Sequence, residues 1–190
     1  MTHKIDRQLE MHSKDVLKEM IGKRLLSVNT DKETLKGDAA WVAQFNFDDD
    51  SSYTIQAAIG LIDYYGEPED ITILKAKEGP YKEAAPSLNS FPINMVIQGI
   101  TYIDYTIHSN NPEIDDSDYL YTFTDAIIME FEDGTELSIE LFSKFSELID
   151  INVGENLINE LTPISEYSPE AKKPWEIESS IARFSITAEH

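Results

Sequence analysis

Apolar residues recur at helical spacing near the N-terminus and then settle into period two for most of the chain. Over residues 4–21, Ile5, Leu9, Val16, Leu17, Met20 and Ile21 fall largely on one face, while Lys4, Asp6, Arg7, Glu10, Lys14, Asp15 and Lys18 are polar. That spacing predicts an amphipathic helix. Gly22 stands where a C-cap glycine belongs, just past a last turn that carries Lys18. Leu26 and Val28 then begin a strand, and Asn29 to Asp38 reads as a polar loop. Trp41, Ala43, Phe45 and Phe47 alternate with Val42, Gln44 and Asn46, Asp48-Asp49-Asp50-Ser51 supplies turn chemistry, and Tyr53, Ile55 and Ala57 resume the alternation. Asp70 to Leu74 predicts a fourth strand.

The second half follows the same plan. Gly22, Leu25, Leu26 and Val28 match Gly99, Tyr102, Ile103 and Tyr105. The stretch from Phe47 to Ile55 aligns without gaps on Phe131 to Ile139, and Asp70-Ile71-Thr72-Ile73 aligns on Asp150-Ile151-Asn152-Val153. The pattern is a unit of strand, loop, hairpin and strand made twice. Pro80, Pro86 and Pro92 mark a connection over residues 75–95, Glu155 to Leu161 reads as a short helix, and Pro163, Pro169 and Pro174 mark an extended stretch. Ile177, Ile181, Phe184 and Ile186 are too apolar for a free tail, so the C-terminus is expected to dock as a strand or helical turn. The expected fold is α+β and mostly antiparallel β, with an N-terminal helix on a sheet built from an internally duplicated unit. Residues 1–95 hold the helix and first unit, and residues 96–190 the second. Both are expected to share one body, because a one-sided sheet needs its apolar face covered.

Charge adds what the pattern lacks. The chain of 190 residues carries fifteen Lys+Arg against thirty-six Asp+Glu, a net −21. Residues 83–171 hold Lys144 alone against eighteen acids. Such a field repels nucleic acid and anionic membrane and steers cationic partners to one part of the molecule. There is no cysteine, which removes disulfides and thiolate sites and fits a reducing compartment. The charged N-terminus has no apolar segment behind it, and no stretch approaches the roughly 18 residues of a membrane span, so a cytoplasmic location is expected.

The candidate sites are acidic. Asp48-Asp49-Asp50 lacks the staggered ligands and closing glutamate of a calcium loop, and reads as a turn. Glu130, Glu132, Glu136 and Glu140 invite comparison with the paired carboxylates of glycosidases. Alternating with Ile128, Met129, Phe131, Leu137, Ile139 and Leu141, they read instead as the solvent side of an amphipathic sheet. His3, His12, His108 and His190 show no ligand spacing, and no phosphate loop, nucleophile elbow or dinucleotide fingerprint is present. No enzyme, no metal and no cofactor is therefore expected. Asp115, Asp116 and Asp118 lie in the loop by which the second unit exceeds the first, with Tyr119 and Tyr121 behind it as candidate interface anchors. These five residues, with Glu130 and Glu132, form the expected partner-binding set.

The hairpin from Ala126 to Glu140 and the acid-plus-tyrosine loop before it resemble the small acidic immunity proteins of bacterial polymorphic-toxin systems. That resemblance implies tight binding to a basic toxin or nuclease domain, with carboxylates meeting the Lys and Arg that would otherwise hold phosphate. The alternative is a structural or assembly subunit of a phage or secretion apparatus that oligomerises through the duplicated unit.

Overall fold

The computed structural model describes residues 2–36, 39–64, 67–82, 87–115, 117–143, 146–167 and 176–187. The N-terminal segment divides into strand β1 (His3–Arg7) and helix α1 (Met11–Met20). This corrects the single helix expected over 4–21. Ile5 is buried between exposed Lys4 and Asp6, a spacing that serves a strand as well as a helix. β1 is held by parallel pairing, Ile5 facing Tyr121, a partner too distant in sequence for periodicity to reveal. The helix keeps Val16, Leu17 and Met20 inward, and Gly22 takes φ +83° just beyond it, a conformation that costs glycine nothing.

Two antiparallel meanders follow. The first comprises β2 (Arg24–Thr30), β4 (Ala43–Phe47), β5 (Ser52–Tyr64) and β6 (Glu67–Glu78), while the two-residue β3 (Ala39–Ala40) between β2 and β4 leaves it to pair with the second. The second comprises β7 (Asn89–Asn110), β8 (Tyr119–Phe131), β9 (Glu136–Leu141) and β10 (Ile149–Gly154). A single 3-10 turn at Leu157–Asn159 stands where a short helix was expected, followed by α2 (Ile164–Tyr167) and β11 (Glu176–Ile186). The strand order is β3-β10-β9-β8-β7-β2-β4-β5-β6, with β1 added to β8 and β11 to β7. Every pairing except β1–β8 is antiparallel, so the chain is mostly antiparallel β with one substantial helix early.

The boundary expected between residues 95 and 96 falls inside β7. Its Asn89–Val96 stretch pairs with β2, and residues from Ile97 to Ser109 pair with β8. Pro92 sits opposite Ser27, beside a register irregularity in β2, where a missing N–H is tolerated. One apolar cluster joins both meanders, including Leu17 from the helix, Phe45 and Ile55 from the first, and Phe123, Phe131 and Ile139 from the second. Trp41, Ile181 and Phe184 remain exposed, so the apolar C-terminus docks as a strand but buries little of itself.

The β4–β5 and β8–β9 turns share most of their hydrogen bonds, the second adding Gly134 N to Phe131 O at 3.0 Å. Phe47 N donates to Ser51 O at 3.0 Å, and Phe131 N to Thr135 O at 2.9 Å. Asp49 Oδ1 accepts from the amide and hydroxyl of Ser51, as Asp133 Oδ1 does from Thr135. Left-handed residues Asp50 (φ +63°) and Gly134 (φ +84°) occupy matching places. The flanking strands match in a register different from the sequence blocks. Leu25 faces Phe47 as Ile97 faces Phe131, so Leu25 answers to Ile97 and not to Tyr102. Leu74 faces Ala57 as Ile149 faces Leu141, so Ile73 answers to Leu148 and not to Val153. Runs of adjacent apolar residues leave the inward parity open, and cross-strand pairing decides it.

Candidate partner-binding surface

β8 runs between the two ends of the expected site and holds them apart. The loop 111–118 precedes the strand, while Glu130 and Glu132 lie at its far end. A strand of thirteen residues spans on the order of 40 Å of contour.

At the loop end, Asp115 is exposed and Asp116 lies outside the described residues. Asp118 is engaged in the fold. His108 Nε2 and Thr2 Oγ1 lie 2.6 and 2.5 Å from its two carboxylate oxygens, and its carbonyl accepts His3 N at 2.7 Å. The Thr2 hydroxyl, then His108, hold its carboxyl below the usual range. Asp118 is thus the clasp that seats β1. Tyr119 and Tyr121 are only 4% and 5% exposed. Tyr119 stacks on His3 at 4.7 Å and Tyr121 on Phe123 at 4.8 Å. Tyr119 thus packs against β1 and Tyr121 within β8, and their burial corrects their expected place as surface anchors.

The hairpin end is built differently. Glu132 forms an ion pair with Arg24 at 3.2 Å and accepts Val96 N at 3.3 Å, bridging the two meanders. Glu130 is exposed and directly opposite Glu136 across the β8–β9 ladder. Glu136 Oε2 accepts Leu157 N at 2.7 Å, pinning the 3-10 turn over this face. Between that turn, the end of β11 and the start of the β7–β8 pairing lies a groove of about 620 Å³, lined by Ile21, Ile100, Ile128, Ile158, Glu130 and Glu136 among others.

Buried carboxylates inside the fold went unforeseen. Glu140, expected on the solvent side, is buried beneath residues 157–162 and accepts Thr162 N at 2.6 Å. Tyr105 Oη donates to Thr162 O at 2.9 Å, so the same residue is held at both its N–H and its C=O. Burial pushes Glu140 above its ordinary range. Asp104 is raised for the same reason, although Thr124 Oγ1 (2.6 Å) and Gln8 Nε2 (2.5 Å) donate to it. Asp125 is fully buried beside them in sequence order, at an irregularity in the β7–β8 register. The available signal was a lone acid inside an apolar run, as in Ile103-Asp104-Tyr105 and Ile139-Glu140-Leu141. Among the described residues, no group of three or more His, Asp or Glu is arranged to hold a metal ion, and no helix is long and apolar enough to cross a membrane.

No protein-family model, no curated protein and no solved structure matches this chain.

Proposed function

We propose that this chain is an acidic binding protein that neutralises a basic protein partner, as an immunity protein or inhibitor of a toxin or nuclease does. The partner meets the outer surface of the β7–β10 meander. The observation that carries this reading is the separation of acids that serve the fold from acids that do not. Asp104, Asp118, Glu132 and Glu140 have partners within the chain. Glu113, Asp115, Glu130, Glu155 and Glu160 are exposed, and the sequence supplies only Lys144 to offset them between residues 83 and 171. Exposed carboxylates of one sign repel one another, and folding gives no return for the repulsion. A cationic partner would relieve it and would be steered toward this face. Of the expected binding residues, this reading keeps Asp115 and Glu130 as contacts and assigns Asp118, Tyr119, Tyr121 and Glu132 to supporting the surface.

The matching hairpins support a further part of the proposal, that the two meanders derive from one duplicated unit. Arg24 and Val96, which answer to each other by strand register, face one another across β2–β7, as a local two-fold relation between copies requires. A cytoplasmic setting fits the cysteine-free composition. The assembly reading draws on one feature: β11 pairs with β7 alone, and among the described residues its other edge is unpaired.

Co-expression with the most basic product encoded beside this chain tests the neutralisation reading. Relief of that product's toxicity and a stoichiometric complex on size-exclusion with light scattering are expected. A ring or filament of this chain alone, with no relief, would favour assembly.

A further inference from the structure

We infer that the groove beside the β8–β9 hairpin receives an arginine side chain of the basic partner, an inference that rests on the reading above. The groove lies outside the expected partner-binding loop and is assembled from distant parts of the chain: Ile21 after the helix, Ile100 on β7, Ile128 on β8 and Ile158 in the 3-10 turn. Its volume of about 620 Å³ is of the size that holds small ligands and side chains. Its apolar lining suits the methylene stem of a long cationic side chain.

Glu130 and Glu136 decide the occupant. They are directly opposed across an antiparallel ladder, where Cβ atoms sit about 4.5–5.5 Å apart and like charges destabilise. Glu136 is oriented by Leu157 N, whereas Glu130 has no hydrogen-bond or ion-pair partner among the described residues. The two cations that directly follow the groove residues Ile21 and Gly22 are committed elsewhere: Lys23 to Asp49 at 3.0 Å and Arg24 to Glu132 at 3.2 Å. Two facing carboxylates, Glu136 held by its hydrogen bond and Glu130 unpaired among the described residues, suit a planar guanidinium, which presents donors in two directions and is more weakly hydrated than an ammonium. An anionic or purely apolar ligand would leave the two carboxylates opposed and uncompensated.

The full chain, labelled with ¹⁵N, is titrated with N-acetyl-arginine-methylamide and with its neutral citrulline counterpart. Amide shifts confined to Gly22, Gly99 and Thr101 are expected for arginine, with citrulline about tenfold weaker, as loss of a charge-assisted pair implies. Glu130→Gln, an exposed substitution that leaves the core intact, is expected to lower arginine affinity about tenfold, while Asp115→Asn leaves it unchanged. Equal binding of arginine and citrulline, or an unaffected Glu130→Gln variant, overturns the inference. A nona-arginine peptide separates the two levels of the account. If it binds wild type and Glu130→Gln alike, with shifts spread over Asp115 and Glu155, the groove is refuted and the acidic-surface reading stands. If the single arginine seats in the groove but nona-arginine binds no tighter, the groove stands and the basic-partner reading falls.

Discussion

The two hairpin turns solve one backbone problem with different charge. In the first, Lys23 Nζ lies 3.0 Å from Asp49 and 2.8 Å from Tyr53 Oη. The Ser51 hydroxyl and then Lys23 draw the Asp49 carboxyl down to about 2. In the second, Asp133 makes the same turn and is lowered chiefly by Thr135, with no cation beside it among the described residues, while its neighbour Glu132 takes Arg24 from the first meander. The local geometry therefore demands an aspartate, not a surplus of negative charge. What the second meander adds beyond the turn, at Glu130 and Glu155, is excess over structural need, and Glu130 borders the groove.

The largest effects should come from the paired phenylalanines at the roots of these turns. Phe47→Ala and Phe131→Ala each empty a buried site and should cost roughly 3–5 kcal/mol. Urea unfolding should still show one transition in both variants, because the core is continuous. Two separable transitions would break the single-core description and make the meanders independent.

Exchanging the left-handed turn residues sharpens the comparison further. Asp50→Gly should raise the melting temperature by about 2–4 °C and Gly134→Asp should lower it similarly, since only glycine adopts that conformation without strain. Shifts of the same sign would show that the two turns are not conformational equivalents.

Legibility in the sequence followed locality. Turns announced by Asp-Asp-Ser and Asp-Gly, and the alternation around them, are set by neighbours and were readable. β1 was not, because Ile5 satisfies two periodicities and its partner Tyr121 lies across the chain. Tyr119 and Tyr121 looked like surface anchors because nothing in their own segment shows that β1 covers them. Glu140 looked solvent-facing because residues 157–162, which bury it, follow a separate strand. The groove draws on Ile21, Ile128 and Ile158, and no window of sequence contains all three.

Two buried or anchored acids should respond to pH with opposite signs. Asp104 is raised by burial, so the folded chain holds a proton that the unfolded chain has released. Stability should then decline as pH rises from about 4 through the raised value. Asp104→Asn should flatten that decline in melting temperature between pH 4 and 7, and an unchanged slope would remove Asp104 as its source. Asp118 is lowered, so its contribution is present above the ordinary carboxylate range and is lost as pH falls through the lowered value. The effect should be small and local: Asp118→Asn should speed hydrogen exchange at residues 3–7 while leaving β9 protected. Exchange that rises equally throughout would contradict its role as a clasp for β1.

The central claim is that the β7–β10 surface, not the total charge, meets the basic partner. Titration calorimetry with nona-arginine at two salt concentrations tests it directly, comparing Glu130→Lys/Glu155→Lys with Asp48→Lys/Asp50→Lys. Both pairs change net charge equally and spare the turn aspartates Asp49 and Asp133. The first pair is predicted to lower affinity by about tenfold or more and to flatten the salt dependence, the second by no more than about threefold. Equal losses from the two pairs would show that the partner reads charge alone, and would contradict the account.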